Sequence, residues 1–142
     1  MKQTNHLKIF VSLGVVLAIL SGCSKSAAEK VSVEGRWTGY DQARPAEQIT
    51  LELRAGHFTY WDAQTNQLGA GTYVVKGTGQ PPQMDLTFVE SMNPKYVGKV
   101  GLAIYQLQAN ELRIAGSEPG NTVRPADIAP SQDVIAFTFK RE

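Results

Sequence analysis

From Val31 to the C-terminus, apolar and polar residues alternate with a period of two, in short runs separated by Gly, Pro and Asn. Successive side chains of a strand point to opposite faces, so this pattern predicts half-buried β-strands. The first run is Val31 to Tyr40, with Val33, Gly35 and Trp37 on one face. In the second, Gln48 to Arg54, Ile49, Leu51 and Leu53 oppose Thr50, Glu52 and Arg54. Ala55-Gly56 breaks the pattern before His57 to Asp62, as a tight hairpin would. Leu68 to Val75 is the fourth run, and the stretch Lys76 to Gln83, with its glycines and prolines, reads as a loop. Met84 to Val89 and Lys99 to Leu107 follow, and Gln108-Ala109-Asn110 turns into Glu111 to Gly116. A long loop, Ser117 to Gln132, leads to the last run, Asp133 to Arg141, with Ile135, Phe137 and Phe139 on one face.

About eight short strands with mostly short links favour up-and-down antiparallel connection. An open meander would expose two sheet edges, and closure into a barrel removes them. The expected fold is therefore all-β, a small antiparallel up-and-down barrel, with a β-sandwich as the alternative.

The N-terminal segment differs. Lys2 and Lys8 precede an apolar run of twelve residues, Ile9 to Leu20. A bilayer core needs about 20 apolar residues in a helix, so the run fits a secretory signal better than a span. It ends in Leu20-Ser21-Gly22-Cys23, which resembles the lipobox of bacterial lipoproteins. That resemblance implies cleavage after residue 22 and acylation of Cys23, hence a membrane partner through N-terminal acyl chains. Ser24 stands where an aspartate would favour the inner membrane, so the expected location is the periplasmic face of the outer membrane. The implied organisation is a cleaved signal over 1–22, a lipidated cysteine and tether over 23–32, and one β domain over 33–142.

Gly35-Arg36-Trp37 resembles the Gly-x-Trp signature of lipocalins and related calycins. The resemblance implies a lipocalin-like barrel in which Trp37 packs at the closed end beneath a basic side chain of the last strand. Arg141 shares parity with Phe137 and Phe139 and is the candidate. Gly35, Trp37 and Arg141 are thus expected to close the barrel. Several blocks also resemble a family of small exported bacterial domains of unknown role, abundant in planctomycetes. They include Gly71-Thr72-Tyr73, Pro82 to Thr87, Ala103 to Leu107, Leu112-Arg113-Ile114, Arg124-Pro125 and Lys140-Arg141. Ala103, where that family often has Gly, and Ile128, where it often has an aromatic residue, are departures. The family has no agreed functional residues, so none is carried over.

Composition narrows the chemistry. Fourteen Lys and Arg balance thirteen Asp and Glu, which argues against nucleic acid as a partner. Loss of the signal removes Lys2, Lys8 and His6 and leaves the domain slightly acidic, with His57 its one histidine. A single cysteine allows no internal disulfide and no multi-cysteine metal site. No nucleophile elbow, zinc-protease motif or phosphate loop is present. Neither catalytic residues, a metal nor a cofactor is expected, and the protein reads as a non-enzyme.

The aromatic residues suit either a filled core or an apolar ligand cavity. The candidate lining is Phe58, Tyr60, Tyr73, Phe88, Ile104 and Phe137. Trp61 has opposite parity to Phe58 and Tyr60 and is expected to face outward. Two functions follow: a lipid-anchored binder of a small hydrophobic ligand, or an envelope lipoprotein that contacts a protein partner through its surface and loops.

Overall fold

The structure, a computed structural model, describes residues 32–77 and 79–142. The signal segment, Cys23 and the tether as far as residue 31 lie outside the described residues. Eight strands form a closed antiparallel barrel. They are β1 (Gly35–Asp41), β2 (Arg44–Arg54), β3 (His57–Asp62), β4 (Gln67–Lys76), β5 (Gln83–Ser91), β6 (Val100–Gln108), β7 (Glu111–Ser117) and β8 (Val134–Arg141). Each strand pairs with its neighbour in sequence, and β1 pairs with β8 to complete the circle.

The β2–β3 hairpin turns on Ala55 and Gly56, whose φ angles of 50° and 78° are both positive. Such a turn matches the right-handed twist of the strands it joins. This hairpin, the β4–β5 connection and the Ala109-Asn110 turn gather at one end of the barrel with both ends of the described chain. The remaining links, including a 3₁₀ turn at Pro94–Tyr96 and the long segment 118–133, lie at the other end.

Two strands have bounds that the alternation alone does not give. β1 begins at Gly35 because Ser32–Glu34 turn across the barrel floor, where Val33 is buried. β2 begins at Arg44, before its apolar alternation starts. Residues 44–48 are all exposed at the rim, so they carry no inward signal. Their position comes from the preceding turn: the Asp41 carboxylate, 3% exposed, accepts the Ala43 N–H at 2.9 Å and two N–H groups of Arg44 at 3.0 and 3.1 Å.

Inward positions form one apolar cluster that includes Trp37, Leu53, Phe58, Met84, Leu112 and Phe139. Outward positions carry Arg36, Glu52, Arg113 and Lys140, with ion pairs Arg36–Glu52 and Lys140–Glu111.

A second, smaller cluster lies on the outer wall. Ile104, Ala115 and Ala136 are cross-strand neighbours on β6, β7 and β8, and Ile128 and Val134 pack on them. The segment 118–133 therefore straps the outside of the barrel. Arg124 pins it, donating from Nη1 to the Met84 carbonyl at 3.1 Å and the Ala103 carbonyl at 2.7 Å, and from Nη2 to Asp85 at 2.5 Å.

Candidate functional site

The floor of the barrel is built first. Trp37 is fully buried, and its indole Nε1–H donates to the Val33 carbonyl at 2.9 Å. The Arg141 guanidinium lies 4.1 Å from the centroid of the Trp37 ring. The two Arg141 Nη groups donate to the Glu34 carbonyl at 2.7 Å and the Ser32 carbonyl at 2.8 Å. A Cβ at Gly35 would stand 2.6 Å from Arg141 Nη1, so only glycine leaves room for this arrangement. Gly35, Trp37 and Arg141 thus meet at one point, which seals one end of the barrel and binds the chain's entry to its last strand.

Above the floor the interior is shaped by glycines on the inner wall. Phe58 and Tyr60 of β3 lie directly across from Gly71 and Gly69 of β4. A Cβ would meet the Tyr60 ring at 2.6 Å from Gly69 and the Phe58 ring at 3.0 Å from Gly71. Gly39 gives way to Phe139 in the same manner. These rings lie flat on bare backbone, which lets several aromatic residues share a narrow barrel.

Across the barrel, small residues are not covered in this way. A Cβ at Gly101 would meet nothing nearer than 3.5 Å, and one at Gly116 nothing nearer than 3.7 Å. With Ala103, which pairs with Gly116, they leave a bare stretch of wall. The result is a chamber of about 130 Å³ in the upper half of the barrel, faced on its other sides by Phe58, Tyr60, Leu86, Phe88, Phe137 and Phe139. Phe88 meets the Phe58 ring edge-on at 5.1 Å, and Phe137 stacks on Phe139 at 5.7 Å. Edge-on and offset contacts of this kind hold rings in fixed orientation.

A wider mouth of about 760 Å³ adjoins the chamber at the open end, and Ile49, Tyr60, Tyr96, Ile135 and Phe137 border both spaces. Gln48, Gln64 and Asn93 line the mouth, together with the charged residues Arg44, Glu47 and Asp62. Tyr60 stands at the neck. Burial raises its pKa above the ordinary phenol value, and the neighbouring Tyr96 adds to the effect, so both stay neutral donors in water. Tyr96 donates its hydroxyl to Glu118 at 3.2 Å.

Of the residues expected to line a cavity, Phe58, Tyr60, Phe88 and Phe137 face the chamber. Tyr73 and Ile104 do not. Tyr73 is buried in the interior cluster nearer the floor, next to Glu34. Ile104 points outward, under the strap. Ala103, Ile104 and Tyr105 are all buried, because β6 is covered on both faces here, and an unbroken apolar run carries no parity. Leu51, Leu86, Ile114 and Phe139, also in the lining, follow from the strand parities. The bare wall of Gly101, Ala103 and Gly116 has no such signal, since glycine in a strand reads as a break.

Trp61 faces outward, half-buried, with the Arg36 guanidinium 5.4 Å from its ring centroid. His57 lies exposed at the start of β3, with no carboxylate–histidine–nucleophile arrangement around it among the described residues. Among the described residues no three His, Cys, Asp or Glu side chains gather where they could hold a metal. No family model matches the chain, and neither a curated protein nor a solved structure matches it.

Proposed function

We propose that this protein is a lipid-anchored envelope lipoprotein whose lipocalin-like barrel binds a small hydrophobic ligand without chemical conversion. The observation that supports this reading is the apolar chamber, walled by Phe58, Phe88, Phe137 and Phe139 and adjoining a mouth at one end. The chamber alone is smaller than the roughly 300 Å³ of a drug-sized pocket. It is close to the ~150 Å³ of an apolar cavity that holds benzene. It therefore suits one ring or a short branched end of a ligand, with the remainder in the mouth.

The anchor reading fits the same geometry. Cys23 precedes Ser32 by nine residues, a reach of at most about 32 Å. The chain enters at the floor, where Arg141 holds the Ser32 carbonyl. A barrel tethered there is anchored from its floor end, opposite the mouth.

Two experiments test the reading. Native mass spectrometry of the full chain purified from its own envelope is expected to show an organic adduct. The adduct is expected to disappear in Gly101→Leu, where the new side chain fills the chamber. A wild-type protein free of adducts under all extraction conditions would count against ligand binding. For the anchor, Cys23→Ala is expected to abolish labelling by radioactive palmitate and cleavage by the lipoprotein signal peptidase.

A second reading is a protein-interaction lipoprotein. Exposed Met92, Val97 and Val123, on the connections of the open end, favour it. Site-specific crosslinking from Val97 in cells that recovers no reproducible partner would remove it.

A further inference from the structure

The charges around the mouth restrict what the chamber can take. Among the described residues lining the mouth, the charged side chains are Arg44, Glu47 and Asp62, and the chamber lining has none. Arg44 is the one cation, and its guanidinium is already shared. Nε and Nη2 donate to Asp41, and Nη1 pairs with Glu47 at 2.9 Å. Two carboxylates on one guanidinium leave that cluster negative.

Asp62 adds a further negative charge. Its Oδ1 accepts the Gln64 and Asn66 N–H groups at 2.9 and 2.8 Å, and its Oδ2 accepts the Asn66 amide at 2.8 Å. These bonds stabilise the ionised form, so the carboxylate persists at neutral pH. Lys95 and Lys99 belong to the same end of the barrel but border neither space. Gln48, Gln64 and Asn93 offer amide groups to a neutral partner.

We infer that the ligand is an amphiphile with an uncharged or cationic polar end and an apolar end of about one ring, and that carboxylate and phosphate amphiphiles are excluded. This rests on the ligand-binding reading above and specifies its chemistry. A carboxylate or phosphate seated at the mouth would lose hydration without gaining a free cation, in the company of the Glu47 and Asp62 carboxylates. An alcohol, phenol or amide exchanges its water for the amides and for the tyrosine hydroxyl at the neck. An ammonium gains the carboxylates as well.

The test uses three probes with one apolar end: 4-ethylbenzyl alcohol, 4-ethylbenzylammonium and 4-ethylbenzoate. Their binding to the full chain in nanodiscs is followed by saturation-transfer NMR, with Gly101→Leu and Gly116→Leu as chamber-filled references. The alcohol and the ammonium are expected to bind at least tenfold more tightly than the benzoate. Gln64→Lys, an exposed turn substitution that adds a free cation at the mouth, is expected to narrow that gap at least fivefold. Benzoate binding as tight as that of the alcohol overturns the charge selectivity and leaves ligand binding standing. Binding of none of the three above the chamber-filled references overturns both.

Discussion

The Arg141 guanidinium sits 4.1 Å from the centre of the Trp37 ring and holds two carbonyls of the incoming chain, those of Ser32 and Glu34. A single side chain near the C-terminus thus fastens the start of the domain, caps its largest buried side chain and seals one end of the barrel. A cation over an indole contributes about 0.5–2 kcal/mol, and each hydrogen bond from a charged donor about 1.5–3 kcal/mol before losses elsewhere. Arg141→Ala is expected to lower stability by about 2–4 kcal/mol. Arg141→Lys, which keeps charge but not the planar fork, is expected to lose about half as much. Urea unfolding of the two variants measures this, and equal losses would contradict the role of the fork.

The inner-wall glycines separate into two classes with opposite expectations. Gly71→Ala drives a methyl into the Thr87 backbone and the Phe58 ring, and overpacking of this kind costs about 1–3 kcal/mol or more. Gly116→Ala meets Ala103 at an ordinary 3.7 Å and is expected to stay within about 1 kcal/mol of wild type. Thermal unfolding of the two variants side by side checks the contrast.

The strap depends on Arg124, which bridges the Met84 and Ala103 carbonyls and Asp85. Arg124→Ala is expected to cost about 2–3 kcal/mol and to open segment 118–133 to protease while the barrel strands stay protected. Limited proteolysis with mass mapping reads this. Cleavage spread evenly along the chain would mean that the strap and barrel unfold together.

Among the described residues, three carboxyl groups are held below their ordinary values. For Asp62 the bond from Asn66 is the main cause; for Glu111 it is the bond from Lys140. Burial by itself would raise the pKa of Asp85, but its partners Lys76 and Arg124 outweigh it and the net shift is downward. Each group binds its proton more weakly when folded than when unfolded. Its contribution is full above the unfolded value, about 4, and is lost as pH falls through the lower folded value. The urea midpoint is expected to be steady from pH 7 to 5 and to fall below pH 4. Asp85→Asn is expected to lower the midpoint at pH 7 and to make that fall shallower.

The strand order was legible because Ile49, Leu51 and Leu53, or Ile135, Phe137 and Phe139, each mark an inward face. Up-and-down connection followed from the mostly short links, and closure from the two edges an open meander would expose; the long link 118–133 serves as a strap rather than as a crossover. Strand ends at the rim were illegible, since residues 44–48 meet water on both sides and are ordered by the Asp41 turn. Ile104 misled because β6 is covered on both faces. The chamber was least legible of all. It exists where Gly101, Ala103 and Gly116 have little or no side chain, and empty space depends on what two neighbouring strands, β6 and β7, fail to fill.

The chamber is measured most directly by xenon-129 NMR of the full chain. Xenon enters dry apolar cavities of about 150 Å³, close to the 130 Å³ found between the aromatic and glycine walls. A bound-xenon resonance in the wild type that vanishes in both Gly101→Leu and Gly116→Leu is the expected result. A wild-type spectrum indistinguishable from those two variants would contradict an apolar chamber in this barrel.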